Sequence, residues 1–194
     1  MSLSISRHLP RSGAVFKLAL RLVLLLCLQG HANPGPGPVS EEDLKIAFIY
    51  NFTRYTTWPN ASAGSEPLRI CVAGASPISN TLMRTLQGRS SGARPLQLAQ
   101  LVRPDESQHC DVLFLPDSEE RQQVAWLNVV RDQPVLTIGE SLSFAQDGGV
   151  IHLLMVHDGV RFDVNLDAAR RAGLQFNSRM LGLAREVHGG GRAP

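Results

Sequence analysis

The feature that most constrains the fold is a series of four short apolar runs separated by segments with helical spacing. The runs are rich in Val, Ile and Leu and cover residues 68–73, 96–102, 111–115 and 134–138. Runs of this length and composition are typical of buried strands, and helical patterns lie between them at residues 80–86 and 118–130. This alternation predicts a largely parallel sheet with helices packed on both of its faces.

The C-terminal third follows a different pattern. Residues 149–156 and 160–164 are strand-like runs joined through Asp158-Gly159, a dipeptide that favours a tight hairpin turn. Asn165 then precedes a short helix over 166–172. A last helix is predicted to start at Asn177 or Ser178, because these apolar residues share one helical face: Met180, Leu181, Ala184 and Val187. The fold class predicted is α/β, a single three-layer sandwich with a mostly parallel sheet plus an antiparallel hairpin near the C-terminus.

An amphipathic segment precedes the first apolar run. Ser40 and the acidic residues 41–43 are typical of a capped helix start, and Trp58-Pro59 is expected to end the helix, because Pro cannot continue it. The predicted apolar face consists of Leu44, Ala47, Phe48, Asn51 and Tyr55. Ile46, Ile49 and Tyr50 widen it beyond one stripe. This surplus indicates either a partner surface or burial between the sheet and the C-terminal helix, and the sequence leaves both readings open.

The N-terminus has the pattern of a secretory signal peptide. Four basic residues and no acid precede a short apolar run at 22–28, and Gly30-His31-Ala32 supplies small residues for cleavage. We expect a signal peptide over 1–32, a Pro/Gly spacer over 33–39, the α/β domain over 40–188 and a flexible tail over 189–194. The alternative for the leader is a membrane anchor, for which the apolar run is short. Cleavage would take the net charge from +2 to −2, which disfavours nucleic acid as a partner.

Two cysteines, Cys71 and Cys110, follow the predicted leader. An even number of cysteines in an exported protein favours a disulfide, and the alternative is a pair of buried thiols. We therefore predict that the protein is exported to an oxidising compartment and that these two cysteines are bonded there.

The sequence offers no recognisable catalytic constellation. Ser76 follows a strand but precedes Pro77 and lacks the second glycine of a nucleophile elbow, so an ordinary turn is the preferred interpretation. The only lysine after the leader, Lys45, lies in a helix rather than in a phosphate-binding loop. His152, His157 and His188 are widely separated, so neither a metal nor another cofactor is predicted. These observations favour a protein that is not an enzyme.

Ordered sequence blocks resemble the YfiR-like family of periplasmic proteins. The blocks are the opening helix with its Trp58-Pro59 end, the two cysteine-bearing strands, residues 134–138, 144–149 and 162–166, and the final stretch over 172–184. The resemblance implies a regulator that binds the periplasmic domain of an inner-membrane diguanylate cyclase and represses it. Capture by an outer-membrane lipoprotein, or redox damage, would release the regulator and raise cyclic di-GMP, which favours biofilm formation.

The resemblance also implies a compact α/β sandwich, often a dimer, whose disulfides matter for folding. Cys71 and Cys110 match that pattern, whereas a second cysteine pair found in some relatives is missing here. The candidate partner-binding residues are Tyr50, Arg54, Trp58, Asn165 and Arg179. Asn165 has the alternative role of a structural hydrogen-bonding residue, and the arginines that of solvated side chains.

A different function on the same scaffold is a small-molecule sensor. The strand ends near Gly74 and Gly139 could shape a ligand cleft, as they do in many open parallel sheets. A third hypothesis, an exported hydrolase, would need a nucleophile–base pair that the sequence does not reveal.

Overall fold

The computed structural model describes residues 40–59, 66–157 and 159–189. The predicted signal peptide, the predicted spacer and residues 190–194 lie outside the described residues. The helices are α1 (Glu41–Tyr55), α2 (Pro77–Leu86), α3 (Gln123–Val130), α4 (Leu166–Arg171) and α5 (Ser178–Leu181), with 3₁₀ helices at Pro104–His109 and Asp117–Gln122. The strands are β1 (Thr56–Thr57), β2 (Leu68–Ala73), β3 (Ser90–Ser91), β4 (Arg94–Leu101), β5 (Val112–Leu115), β6 (Leu136–Gly139), β7 (Ile151–Val156), β8 (Gly159–Asn165), β9 (Gln175–Phe176) and β10 (Glu186–His188). None of the helices in these described ranges is both long enough and apolar enough to cross a membrane.

One mixed sheet organises the domain. Its strand order is β10-β8-β7-β6-β5-β2-β4-β3, and the five strands from β7 to β4 run parallel. β7 and β8 form the predicted antiparallel hairpin, β10 pairs parallel with β8, and β3 pairs antiparallel with β4. A separate two-stranded sheet joins β1 to β9. The predicted α/β class, with a mostly parallel sheet and a C-terminal hairpin, is confirmed.

Successive residues of the central strands divide between two apolar clusters, because neighbouring side chains in a strand point to opposite faces. Ile70 and Val72 of β2 pack with α1, α2 and α4. Cys71 and Ala73 pack with Trp126 and the rest of the inner side of α3. The sheet is therefore the middle of three layers, as predicted.

The buried face of α1 differs from the predicted one. Ile46, Ile49 and Phe52 are at most 2% exposed, whereas Ala47 and Asn51 are exposed. The ring of Phe52 stands edge-on to Phe162 of β8, with 4.9 Å between the ring centroids. Leu44 and Phe48 of the predicted strip are partly buried against the core, whereas Ile46 and Ile49, which were expected only to widen it, lie at its centre.

The ends of α1 have local causes. Ser40 caps the helix as predicted, since its hydroxyl accepts a hydrogen bond from the Asp43 amide at 3.1 Å. The helix ends at Tyr55, three residues before Trp58, because Thr56 and Thr57 pair with β9 instead. The end of this helix is thus determined by strand pairing rather than by Pro59.

Two predicted helices begin or end elsewhere. The helix predicted from Ser118 is a 3₁₀ helix up to Gln122, and only then does α3 begin. The last predicted helix was wrong beyond Leu181. Glu186–His188 is instead a strand, and the Arg185 amide donates to the Phe162 carbonyl at 2.9 Å. An unpaired edge of β8 offers backbone groups that a strand satisfies and a helix does not.

The guanidinium of Arg185 fastens β10 to β8 through a carboxylate. Its Nε lies 2.9 Å from Oδ1 of Asp163, and a terminal nitrogen lies 2.6 Å from Oδ2. Burial alone would raise the pKa of Asp163, but its hydrogen bonds and charge contacts with Arg185, and then with His152, outweigh burial. The pKa of Asp163 is therefore held below its ordinary value of 3.8.

Candidate functional site

The two cysteines are joined by a disulfide beneath α3. Cys71 lies in β2, and Cys110 follows the first 3₁₀ helix just before β5, with a Cα–Cα distance of 6.0 Å. Their side chains belong to residues that are 0% and 6% exposed. Because an exchanging thiolate needs access to the sulfur, this bond is well shielded from reductants in the folded protein.

Asp111 continues the chain from Cys110 and links the disulfide region to the end of α1. Its carboxylate accepts hydrogen bonds from the Arg69 amide at 2.7 Å and from Arg94 at 3.1 Å. Its carbonyl accepts a hydrogen bond from the Trp58 indole at 3.2 Å. The guanidinium of Arg94 also lies over the Trp58 ring, 6.0 Å from its centroid. These contacts fix the indole and one guanidinium in a single arrangement.

A groove of about 400 Å³ opens beside this arrangement, between the end of α1 and the β3–β4 hairpin. Its described lining includes Arg54, Trp58 and Arg94 and contains no acidic residue. Arg54 is exposed and has no ion-pair partner among the described residues. The charge of Arg94 is balanced by Asp111, so Arg54 supplies the free positive charge of the groove. We call this surface the basic groove.

Tyr50 holds the hairpin against α1 next to the basic groove. Its hydroxyl donates to the Ser90 carbonyl at 2.7 Å, and Arg89 lies over its ring at 5.6 Å from the centroid. One turn along, the Thr53 hydroxyl donates to the Ser91 hydroxyl at 3.0 Å. Arg89 is exposed and adds a second cation to this side of the molecule.

The structure brings two of the predicted partner-binding residues, Arg54 and Trp58, to the basic groove, although Trp58 is only 7% exposed. Tyr50 lies on α1 next to the groove. Arg179 is exposed on α5, which is tied to the end of α1 because the Asn177 amide donates to the Tyr55 carbonyl at 2.9 Å.

Asn165 lies at a different place, where β8 meets α4. Its side-chain oxygen accepts from the Ala168 amide at 3.0 Å and thereby caps α4. Its side-chain nitrogen donates to the Ala145 carbonyl at 2.9 Å. These bonds give Asn165 the structural role that the sequence left open.

Sequence reasoning missed Arg89, Arg94 and Asp111 as parts of this surface. Arg94 begins β4 and Asp111 precedes β5, and neither position carries a local pattern that distinguishes it from other turn residues. They meet only because β4 and β5 both pair with β2, which is a contact between distant parts of the chain.

A second opening lies at the carboxyl ends of the parallel strands. β4 lies on one side of β2, and β5, β6 and β7 follow on the other, so the chain reverses its direction across the sheet between β2 and β5. Ligands of open α/β sheets usually bind outside such a reversal point. A cleft of about 540 Å³ lies there, lined by Ser76 after β2, Asp117 after β5 and Glu140 after β6, with Glu42 from α1.

Lys45 of α1 reaches into this cleft and is held by two carboxylates. Its ammonium lies 2.6 Å from Glu41 and 2.6 Å from Glu140. Burial alone would lower the pKa of Lys45, but its hydrogen bonds and charge contacts with Glu140 and Glu41 outweigh burial and raise it. Its positive charge is therefore already balanced, and the remaining carboxylates of Glu42 and Asp117 make the cleft acidic.

Taken together, residues 40–59, 66–157 and 159–189 form an α/β domain with a mostly parallel sheet, a buried disulfide and two polar openings. A family model described as DUF4154, YfiR/HmsC-like, matches residues 42–185. The match covers most of the chain, so this protein belongs to the YfiR/HmsC-like family.

Two solved structures resemble the domain. A conserved domain protein from Vibrio cholerae is 14% identical with a TM-score of 0.52, over 73% of this chain and 59% of that chain. The ABC domain from Streptococcus pneumoniae, solved in complex with L-Trp, is 11% identical with a TM-score of 0.48, over 61% of this chain and 54% of that chain. This chain thus spans between half and two thirds of the length of these structures. The likeness to the Vibrio cholerae protein concerns the fold alone.

Proposed function

We propose that this protein is a periplasmic regulator that binds the periplasmic domain of an inner-membrane diguanylate cyclase and represses it. The observation that carries the proposal is family membership, because the match over residues 42–185 spans nearly the whole α/β domain. In this role the protein acts by binding rather than by catalysis. It links the state of the cell envelope to cyclic di-GMP and to biofilm formation.

The predicted export signal and the disulfide support a location outside the cytoplasm. Disulfides persist in oxidising compartments such as the periplasm, and this one lies within the core. Expression of the full chain with its own N-terminus, followed by mass spectrometry of the periplasmic fraction, tests this part. We expect a species cleaved after Ala32, and recovery of only the full-length chain in the cytoplasm would contradict it.

The basic groove is our proposed contact surface for the cyclase domain. Arg54 in the groove and Arg89 beside it present unbalanced positive charge, and the Trp58 ring forms part of the lining. An acidic segment of the partner complements this surface, since paired opposite charges steer association and exclude wrong partners. An outer-membrane lipoprotein antagonist would release the cyclase by competing for the same groove.

Binding of the exported protein to the periplasmic domain of a cyclase encoded in the same gene neighbourhood tests the proposal. Arg54→Glu should weaken binding by about tenfold or more, because it places like charges opposite each other. Arg121→Glu is the matched control, since Arg121 is also exposed but lies on the second 3₁₀ helix, outside the groove.

The possible outcomes distinguish a failure of the proposed function from a failure of the proposed contact surface. No binding of the wild-type protein at micromolar concentrations would contradict the regulator itself. Equal binding by the Arg54→Glu and Arg121→Glu variants would contradict only the choice of the basic groove. Loss of repression in cells that carry Arg54→Glu, at an unchanged protein level, is the expected physiological result.

A second candidate function, sensing of a small molecule, is favoured by the cleft at the carboxyl ends of β2, β5 and β6. The acidic character given by Glu42 and Asp117 suits an amine or another cationic ligand. A thermal-shift screen of amines and neutral metabolites tests it. A stabilising amine should lose its effect in the Asp117→Asn variant, and no stabilisation by any amine would remove this candidate.

A further inference from the structure

A row of ionisable side chains crosses the sheet on β7, β8 and β10. In the strand register, His152 lies opposite Asp163, and Asp163 lies opposite Glu186. Side chains opposite each other on neighbouring strands share a face of the sheet. His188 shares that face as well, because it is two residues beyond Glu186. Residues that are widely separated in sequence are thereby placed side by side.

Three of these residues have the spacing of metal ligands. One ligand atom each of Asp163, Glu186 and His188 lies within 4.8 Å of the other two. The Nε2 atom of His188 is 3.3 Å from a Glu186 oxygen. An imidazole nitrogen with carboxylate oxygens is a donor set that suits Zn²⁺ and related divalent transition metals. The three line a cavity of about 480 Å³ beneath the segment that joins β6 to β7.

His152 supplies an independent observation in the same cavity. His152 is 6% exposed, and its Nδ1 atom lies 3.4 Å from Oδ2 of Asp163. Its Nε2 atom is buried and has no hydrogen-bonding partner. A buried polar atom without a partner is costly, so it calls for an explanation. His152 lines the same cavity as the three ligand residues, and a water carried by an ion there would supply the partner that Nε2 lacks.

The guanidinium of Arg185 holds the carboxylate in the metal-free arrangement. It binds both oxygens of Asp163, and its side chain is 44% exposed, so it can turn into solvent. The Arg185 guanidinium therefore supplies, in the metal-free protein, the positive charge beside Asp163 that a bound metal ion would supply. Each Asp163 oxygen has two lone pairs, and Oδ1 accepts only one described hydrogen bond.

We propose that this cavity binds one divalent transition-metal ion of the Zn²⁺ class. Asp163, Glu186 and His188 are its ligands, water completes its coordination, and Arg185 turns toward solvent when the ion binds. The ion would fasten β10 to β8, because it joins ligands from both strands. This assignment does not depend on any partner of the protein.

Isothermal titration with Zn²⁺ tests the proposal on the full chain, expressed without an affinity tag, recovered in its oxidised form and stripped with EDTA. We expect one ion per chain at micromolar or tighter affinity. His188→Ala and Glu186→Gln should each weaken binding by about tenfold or more. Both side chains are exposed, so these variants should retain the circular dichroism of the wild type.

Two further variants separate metal binding from general effects. His109→Ala is the matched control, because His109 is also an exposed histidine but lies on the first 3₁₀ helix. It should bind Zn²⁺ like the wild type. Arg185→Gln removes the competing cation and should bind Zn²⁺ more tightly, which a purely structural ion-pair cluster would not do. Absence of Zn²⁺ binding by the wild type, or unchanged affinity in the His188→Ala variant, would overturn the assignment.

Discussion

Removal of the disulfide is the perturbation whose effect the structure specifies best. The double variant Cys71→Ala/Cys110→Ala opens the cross-link and places a small apolar residue at each buried position. Alanine is preferred to serine because Cys71 is 0% exposed, and a hydroxyl there would be buried as well. Reduced wild-type protein in denaturant provides the same opened chain with the thiols retained.

The magnitude follows from the length of the loop that the bond closes. The cysteines are 39 positions apart, and closing a loop of this size removes about 4 kcal/mol of chain entropy from the unfolded state. With a urea slope of about 2 kcal/mol per molar for a domain of this size, the unfolding midpoint should fall by about 2 M. The melting temperature should fall by roughly 8–16 °C.

Urea unfolding followed by tryptophan fluorescence measures the effect, since Trp126 packs in the same cluster as the disulfide. The slope of the transition should rise slightly in the variant, because an open chain exposes more surface when it unfolds. A shift of the midpoint by less than about 0.5 M would refute the reasoning, because the loop would then contribute little to the unfolded state.

Two other changes test particular contacts. Gly139→Ala should destabilise the domain by about 1–3 kcal/mol, because the new Cβ would overlap the buried ring of Phe144. Gly182→Ala is the control, because its Cβ would lie 3.5 Å from its nearest neighbour. Equal melting temperatures for the two variants would contradict the predicted overlap. The depressed pKa of Asp163 predicts stability that is complete above its ordinary value of 3.8 and is lost as pH falls through the folded-state value. Acid unfolding in the presence of chelator should therefore become less pH-dependent in Asp163→Asn, which removes the carboxylate held by Arg185, and an unchanged acid transition would argue against the contribution of this pair.

Local sequence patterns were sufficient to predict the strands at the centre of the sheet. The run at 68–73 became β2 with its predicted bounds, because six apolar or β-compatible residues leave a buried strand as the simplest solution. Ser40 was recognisable as a helix cap, since capping depends on residues only three positions away. Contacts of this kind can be read from a short stretch of sequence.

The parts of the fold and of the candidate site that the sequence did not predict depend on pairing between distant segments of the chain. Met180 and Val187 have helical spacing, but Gly182 follows the last turn of α5 and the open edge of β8 draws residues 186–188 into the sheet. The grouping of His152 with Asp163 and Glu186 was invisible for the same reason. Their convergence is a property of the strand register, and the register is not written in the spacing of the histidines.

The position of Asp111 has a consequence for when the protein can work. This residue is bonded to Cys110 on one side and anchors Arg94 and the Trp58 indole on the other. In a chain that has not been oxidised, this anchor is held by strand pairing and hydrogen bonds alone, so we expect the walls of the groove to be less rigid. The state of the disulfide and the order of the basic groove are in this way coupled through a single peptide bond.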